Sequence, residues 1–220
     1  MIDIETIKQN TKFKKYYELL VQENQKYNLT SITDEEEVYY KHFLDCATIL
    51  NYFDLNDKII CDVGSGAGFP GMVLKILCPS MKLYIVEPLG KRCKFLEFVK
   101  KELGLKDVFI INDRVEKMNE YRECFDFFFA RAVSNLSMLI ELCIPIVKVK
   151  GYFVSMKGSN YQEEVNLASN ALKKLDSKIG SIYEYQLGSY GVHSLIKILK
   201  DKKTNGKYPR SYAKIKNDTL

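Results

Sequence analysis

The chain has 220 residues, 46% of them hydrophobic and 28% charged, which is material for one globular domain with at most a small appendage. No apolar run approaches the roughly 20 residues of a membrane span, and two histidines with six singly placed cysteines, none in a Cys-x-x-Cys pair, argue against a metal centre or a redox dithiol. The formal charge of +5 is uneven, because Lys197 to Leu220 hold eight Lys/Arg against two Asp, leaving a near-neutral body of about −1 and a basic end.

The opening Met1-Ile2-Asp3-Ile4-Glu5 has neither a basic start nor an apolar signal core, so a cytosolic location is expected. Phe13, Tyr16, Tyr17 and Leu20 recur at helical spacing and predict a helix over residues 12–27. Thr33-Asp34-Glu35-Glu36 reads as a capping box that opens a second helix reaching about Tyr52. Together these form a helical cap over residues 1–55. The apolar run Ile59 to Val63 predicts the first strand, and it ends in four glycines within eight residues: Gly64, Gly66, Gly68 and Gly71. Pro70 has the fixed φ and missing N–H that suit a helix start.

Further strands are predicted over residues 82–87, 107–111, 125–130 and 151–156, with helices over 71–78, 89–103, 135–147 and 161–175 between and after them. Two last strands, 182–187 and 194–199, are joined only by a short link around Gly188-Ser-Tyr-Gly191. Such a link suits an antiparallel pair, since a parallel pair needs a crossover of a dozen or more residues. The pattern predicts an α/β, Rossmann-like fold over residues 56–200: a mostly parallel seven-stranded sheet with a terminal antiparallel strand. Residues 201–220 form the basic tail.

Gly66-Ala-Gly68-Phe-Pro-Gly71 satisfies G-x-G-x-x-G, with Glu87 about twenty residues on, as NAD binding would require. The tight Gly64-Ser65-Gly66-Ala67-Gly68 repeat behind Asp62, and the hairpin ending, favour S-adenosylmethionine (SAM) instead. Its methionine end needs backbone N–H donors and an acidic acceptor, for which Asp62 is the candidate unless it only braces the loop. Glu87, ending the second strand, can take both ribose hydroxyls. Val115-Glu116, after the third strand, falls where such folds enclose the adenine or forms the first turn of a short helix. Arg131, at the tip of the very apolar Phe127-Phe-Phe-Ala130 strand, is predicted to be functional, so its removal should cost turnover more than stability. His42 and Asp45, one turn apart, read as a hydrogen-bonded pair or a substrate contact. Lys91, Arg92, Lys157, Lys207 and Arg210 are candidate RNA-phosphate contacts.

These residues, in order and spacing, resemble the bacterial small-subunit (16S) ribosomal RNA guanine-N7 methyltransferases, the glucose-inhibited division protein B family, over nearly the whole chain. The matching stretches are Tyr27-Asn-Leu-Thr30, Lys41-His-Phe-Leu-Asp45, residues 62–71, Leu89-Gly-Lys-Arg92, Arg114-Val-Glu116, Phe125-Asp126, Arg131-Ala132 and Met156-Lys-Gly158. The resemblance implies a class I SAM-dependent methyltransferase fold with cofactor contacts at Gly64, Phe69, Val115, Glu116 and Arg131, and Glu87 as the ribose-binding acid. It departs at Cys46, Pro88 and Ala130, where serine is usual. A monomer acting on small-subunit RNA or an assembling subunit, without metal or membrane, is expected. Guanine N7 carries a lone pair and no proton, so no general base is expected and Arg131 would act by positioning. Three rivals use the same residues: a ribose 2′-O-methyltransferase with Lys157 as base, an NAD-dependent oxidoreductase, and a SAM-binding ribosome-assembly factor without catalysis.

Overall fold

The computed structural model describes residues 1–220. The chain enters through α1 (Ile4–Gln9), capped by Asp3, and α2 (Thr11–Tyr27). Neither α1 nor the very last helix is predicted from the sequence. At six residues each, both are too short to be stable without tertiary contacts; Ile7 supplies one such contact, being fully buried. The second predicted helix is composite. It runs as α3 (Glu35–Val38), a π-helical stretch over Tyr39–Leu44, α4 (Asp45–Ala47) and a 3-10 turn over Thr48–Asn51. Its N-cap is Asp34, whose carboxylate accepts from Glu37 N–H at 3.0 Å, rather than Thr33.

Alternating units follow: β1 (Ile59–Val63), α5 (Gly71–Leu77), β2 (Lys82–Val86), α6 (Gly90–Glu102), β3 (Val108–Ile111) and β4 (Phe125–Arg131). Next come α7 (Leu136–Cys143), β5 (Val147–Lys157), α8 (Tyr161–Leu167), α9 (Ser169–Lys174), β6 (Ser177–Gln186), β7 (Val192–Lys200) and α10 (Tyr212–Asn217). The helix predicted over 135–147 stops early because Pro145 has no N–H to continue it; a 3-10 turn over Ile144–Ile146 leads into β5. The helix predicted over 161–175 is two short ones that meet at Ala168. β6 is longer than its apolar run suggests, since as the outermost strand it buries none of its residues fully and carries polar ones throughout.

The seven strands lie in the order β3-β2-β1-β4-β5-β7-β6, all parallel except β7, which runs antiparallel to both β5 and β6. The order reverses between β1 and β4, so the crevice beyond their carboxyl ends is the switch point where ligands of open α/β sheets bind. Side chains alternate between two cores. Phe127 and Phe129 enter the core beneath α2, α5 and α6, while Phe128 and Ala130 enter the one beneath α7. The N-terminal helices share the first core with sheet residues Ile60 and Leu83 through Phe13, Tyr16 and Leu20. The basic end does not trail away. It folds back on the second core, burying Tyr208 and Ile215. No helix is long and apolar enough to cross a membrane.

Candidate active site

The period of β1 puts Ile60 and Asp62 on the α5 side and Cys61 and Val63 on the other. Asp62 is fully buried, and its Oδ2 accepts from Ser65 Oγ at 2.6 Å and from Gly71 N–H at 2.8 Å. It therefore braces the glycine turn against the start of α5. A Cβ on residue 71 would stand 2.8 Å from that same oxygen, which is why glycine is needed there. The other oxygen, Oδ1, is buried without a partner. Burial pushes the Asp62 carboxyl up to about 7, against the pull of the Ser65 and Gly71 hydrogen bonds. Gly64 adopts φ +64°, and a Cβ on it would meet Val133 Cγ2 at 2.8 Å. From the other side, Tyr16 of α2 donates its hydroxyl to Ala67 O at 2.5 Å, fixing the loop to the helical cap.

Glu87 ends β2 almost fully buried, with Oε2 accepting from Gly66 N–H and Oε1 from Leu89 N–H, both at 3.0 Å. Arg92 Nη1 lies 3.7 Å from Oε2, so Arg92 stands over the glycine turn rather than in open solvent. Beside this turn is a mostly apolar cavity of about 160 Å³ whose lining includes Gly64, Val86, Pro88, Val115, Glu116 and Val133. Val115 and Glu116 sit on a 3-10 turn after β3, Val115 buried and the Glu116 side chain 13% exposed. The ends of β1 and β3 thus bring Gly64, Val115 and Glu116 to one cavity, with Glu87 at the end of β2 buried against the glycine turn.

Arg131 closes the β4 end. Its side chain is 19% exposed, and it is held on every side. Nη2 donates to Lys41 O at 2.7 Å and lies 3.0 Å from His42 Nδ1, Nη1 contacts Cys46 Sγ at 3.1 Å, and Nε is 3.4 Å from Asp45 Oδ2. Asp45 Oδ1 in turn accepts from Tyr185 Oη at 2.7 Å and pairs with His193 Nδ1 at 2.8 Å. The π-helical stretch lets this happen. There Asp45 N–H bonds back to Tyr40 O, out of α register, which opens the Lys41 carbonyl to the guanidinium. His42 Nε2 lies 3.1 Å from Thr30 Oγ1, and its ring stacks on Phe69 at 4.5 Å between centroids. Asn24 holds the 27–30 turn in place by accepting from Leu29 and Thr30 N–H. The Phe69 side chain is therefore core packing, joined to Tyr16 and Phe43.

Burial, followed by the positive charge of Arg131, lowers the His42 imidazole to about 4, so it is neutral at pH 7. Burial raises the Cys46 thiol to about 12 despite the guanidinium beside it. The lowered His42 value makes a stability prediction. Between about 4 and the ordinary 6.5 the unfolded chain binds the proton and the folded one does not, so stability is complete above 6.5 and is lost as pH falls. Going from pH 7 to pH 5 should cost wild type about 2 kcal/mol more than His42→Gln in urea unfolding. Equal losses would place the imidazole in a setting that tolerates its charge.

The candidate phosphate contacts divide. Lys91 and Lys207 are exposed. Lys157 is not free to act as predicted: its ammonium donates to Ser134 O and pairs with Glu164, each at 2.7 Å, with 12% of its side chain exposed. Arg210 is likewise committed inside the molecule. Four of its five N–H donors go to the Glu141 carboxylate, Asp218 Oδ2 and Asp218 O. Tyr185, His193 and the π-helical stretch were not foreseen, because no local pattern announces a contact spanning 140 residues or more. No three His, Cys, Asp or Glu side chains converge as metal ligands.

A glycine cradle that a Cβ would fill, an apolar cavity next to it, a carboxylate at the end of β2 and the orphan Asp62 Oδ1 fit a nucleoside carrying an amino-acid end, as SAM does. Residues 9–188 match the family model GidB, described as rRNA small subunit methyltransferase G. A protein named ribosomal RNA small subunit methyltransferase G from Carboxydothermus hydrogenoformans is 44% identical over 202 residues, covering 90% of this chain and 86% of that one. The protein of that name from Geobacillus sp. is 46% identical over 203 residues, covering 90% and 85%. The fold is that of a SAM-dependent methyltransferase from Aquifex aeolicus, with TM-score 0.55, 20% identity and coverage of 90% and 99%. It is also that of M. jannaschii TYW2 in complex with AdoMet, with TM-score 0.61, 13% identity and coverage of 77% and 79%.

Proposed function

This chain belongs to the small-subunit rRNA methyltransferase G family, and on that premise we propose that it transfers the methyl group of SAM to N7 of a guanine in small-subunit ribosomal RNA. When bound, SAM supplies an electrophilic methyl on its sulfonium. Gly64, Glu87, Val115 and Glu116 would hold it, the glycine turn giving backbone approach, Glu87 the ribose contact and the apolar cavity the purine.

One observation carries the choice of N7 over the ribose hydroxyl. Every titratable side chain around Arg131 is already engaged: His42 neutral and bonded, Asp45 in two hydrogen bonds and an ion pair, Cys46 a thiol, Lys157 tied to Glu164. A ribose 2′-hydroxyl must lose a proton to a base, and Lys157 as an ammonium paired with a carboxylate is a poor one. Guanine N7 attacks with its own lone pair, so orientation is what the chain must provide. Arg131, fixed at the β4 tip beside the crevice, is the positioning residue. The guanine must be unstacked or already in a loop to reach it.

The chain acts as a cytoplasmic monomer, with exposed Lys91 and Lys207 touching phosphates. Labelled SAM incubated with small-subunit and large-subunit RNA should mark only the former. SAM binding with no label transferred to either naked RNA or an assembling subunit would favour an assembly factor that uses SAM structurally.

A further inference from the structure

The segment after β7 is held by two arginines, Arg122 from elsewhere in the fold and Arg210 of the segment itself. Arg122 donates to Tyr208 O at 2.5 Å and to Thr204 O at 3.1 Å. Arg210 binds Glu141 of α7 through Nε at 2.7 Å, Nη2 at 2.8 Å and its backbone N–H at 3.0 Å, and Glu141 is fully buried. A buried ion pair adds little net stability over apolar packing, so this clamp serves placement more than stability. What it places is α10, anchored by fully buried Ile215. Tyr212, the first residue of that helix, joins Gly64, Val115 and Glu116 in lining the cavity beside the glycine turn. Arg114, which also lines the cavity, has its guanidinium 5.0 Å from the Tyr212 ring centre and its Nη1 3.9 Å from Glu116 Oε1.

We propose that the Tyr212 ring, held by Arg114, is a wall of the purine end of the cofactor pocket. The basic end of the chain thereby contributes a cofactor-binding residue and not only phosphate contacts. This rests on the reading of the cavity as the SAM site. The other lining residues offer aliphatic groups, the Cys143 thiol, the Arg114 guanidinium and the Glu116 carboxylate, and Tyr212 brings the one aromatic ring. A flat purine gains from an aromatic wall by stacking, and the Arg114 guanidinium over that ring holds it in place through its charge. Tyr212 is 38% exposed, so its ring has surface to lose when a purine arrives.

Calorimetry with SAM and with adenosine on wild type, Tyr212→Ala and Tyr212→Phe tests this. Alanine favours helix, so the first variant should keep α10 folded, and matching circular dichroism checks it. Tyr212→Ala should weaken SAM and adenosine by the same factor, about tenfold. Tyr212→Phe, which keeps the ring, should restore both. A Tyr212→Ala protein that binds SAM as wild type does would overturn the proposal, the more so if its affinity for small-subunit RNA falls instead. Wild type that fails to bind SAM at all would overturn the reading of the cavity, and this inference with it.

Discussion

Replacing Gly64 by aspartate should lower the affinity for SAM by about 100-fold or more while leaving the chain folded. Two effects act together. Gly64 lines the cavity, so the new carboxylate enters a mostly apolar space that already has Glu116 at its edge, and it displaces or repels any ligand there. Its Cβ also starts 2.8 Å from Val133 Cγ2 at φ +64°. Val133 is 40% exposed and on a loop, so it can move aside. The left-handed conformation then costs about 1–2 kcal/mol, or a few degrees in melting temperature for a domain of this size. Calorimetry with SAM and a thermal melt separate the two. Affinity within threefold of wild type would remove the glycine turn from the site.

Asp45→Ala should be among the most damaging changes to stability, at about 3–5 kcal/mol, because it strands the Arg131 guanidinium in a buried setting without its counter-charge. Tyr185 Oη and His193 Nδ1 lose their partner in the same step. Asp45→Asn keeps the shape and one acceptor and should cost less. Burial works against ionising Asp45, yet the His193 hydrogen bond and the Arg131 charge outweigh it and lower its carboxyl below the ordinary value. The stability it gives is present above about 3.8 and is lost as pH falls through the lower folded value. Urea unfolding at pH 7 measures the loss, and a change below about 1 kcal/mol would mean the network is ornamental. The same geometry revises the sequence expectation for Arg131. Its removal leaves Asp45 without its cation, so Arg131→Ala should cost stability as well as turnover, and Arg131→Lys, which keeps the charge without the fork, is the better probe of function.

The alternation of strands and helices, the closing hairpin and the glycine turn were legible because their causes are local. Ile59 to Val63 is an apolar run that four glycines end, and the short link at Gly188-Ser-Tyr-Gly191 leaves β6 and β7 only an antiparallel pairing. Asp62 was legible in place but open in role. In the fold one oxygen braces Ser65 and Gly71 while the other is spare, a division that no local pattern announces. The network around Arg131 was out of reach for a different reason. Its members come from α2's turn, the π-helical stretch, β4 and the last hairpin, and a π-helical register has no residue pattern of its own. Charge misled at the other end of the chain. A count of basic residues assigns Arg210 to phosphate, but counting cannot see Glu141 arriving from a helix 69 residues away.

The most direct measurement is the chemical position of the transferred methyl. After reaction with labelled SAM, the small-subunit RNA is digested to nucleosides, with a parallel sample reduced and treated with aniline. The account predicts label in 7-methylguanosine alone, and strand scission at one guanine, because an N7-alkylated ring is open to reduction. Label in an alkali-resistant dinucleotide, the mark of a 2′-O-methyl ribose, with an uncut strand would contradict it.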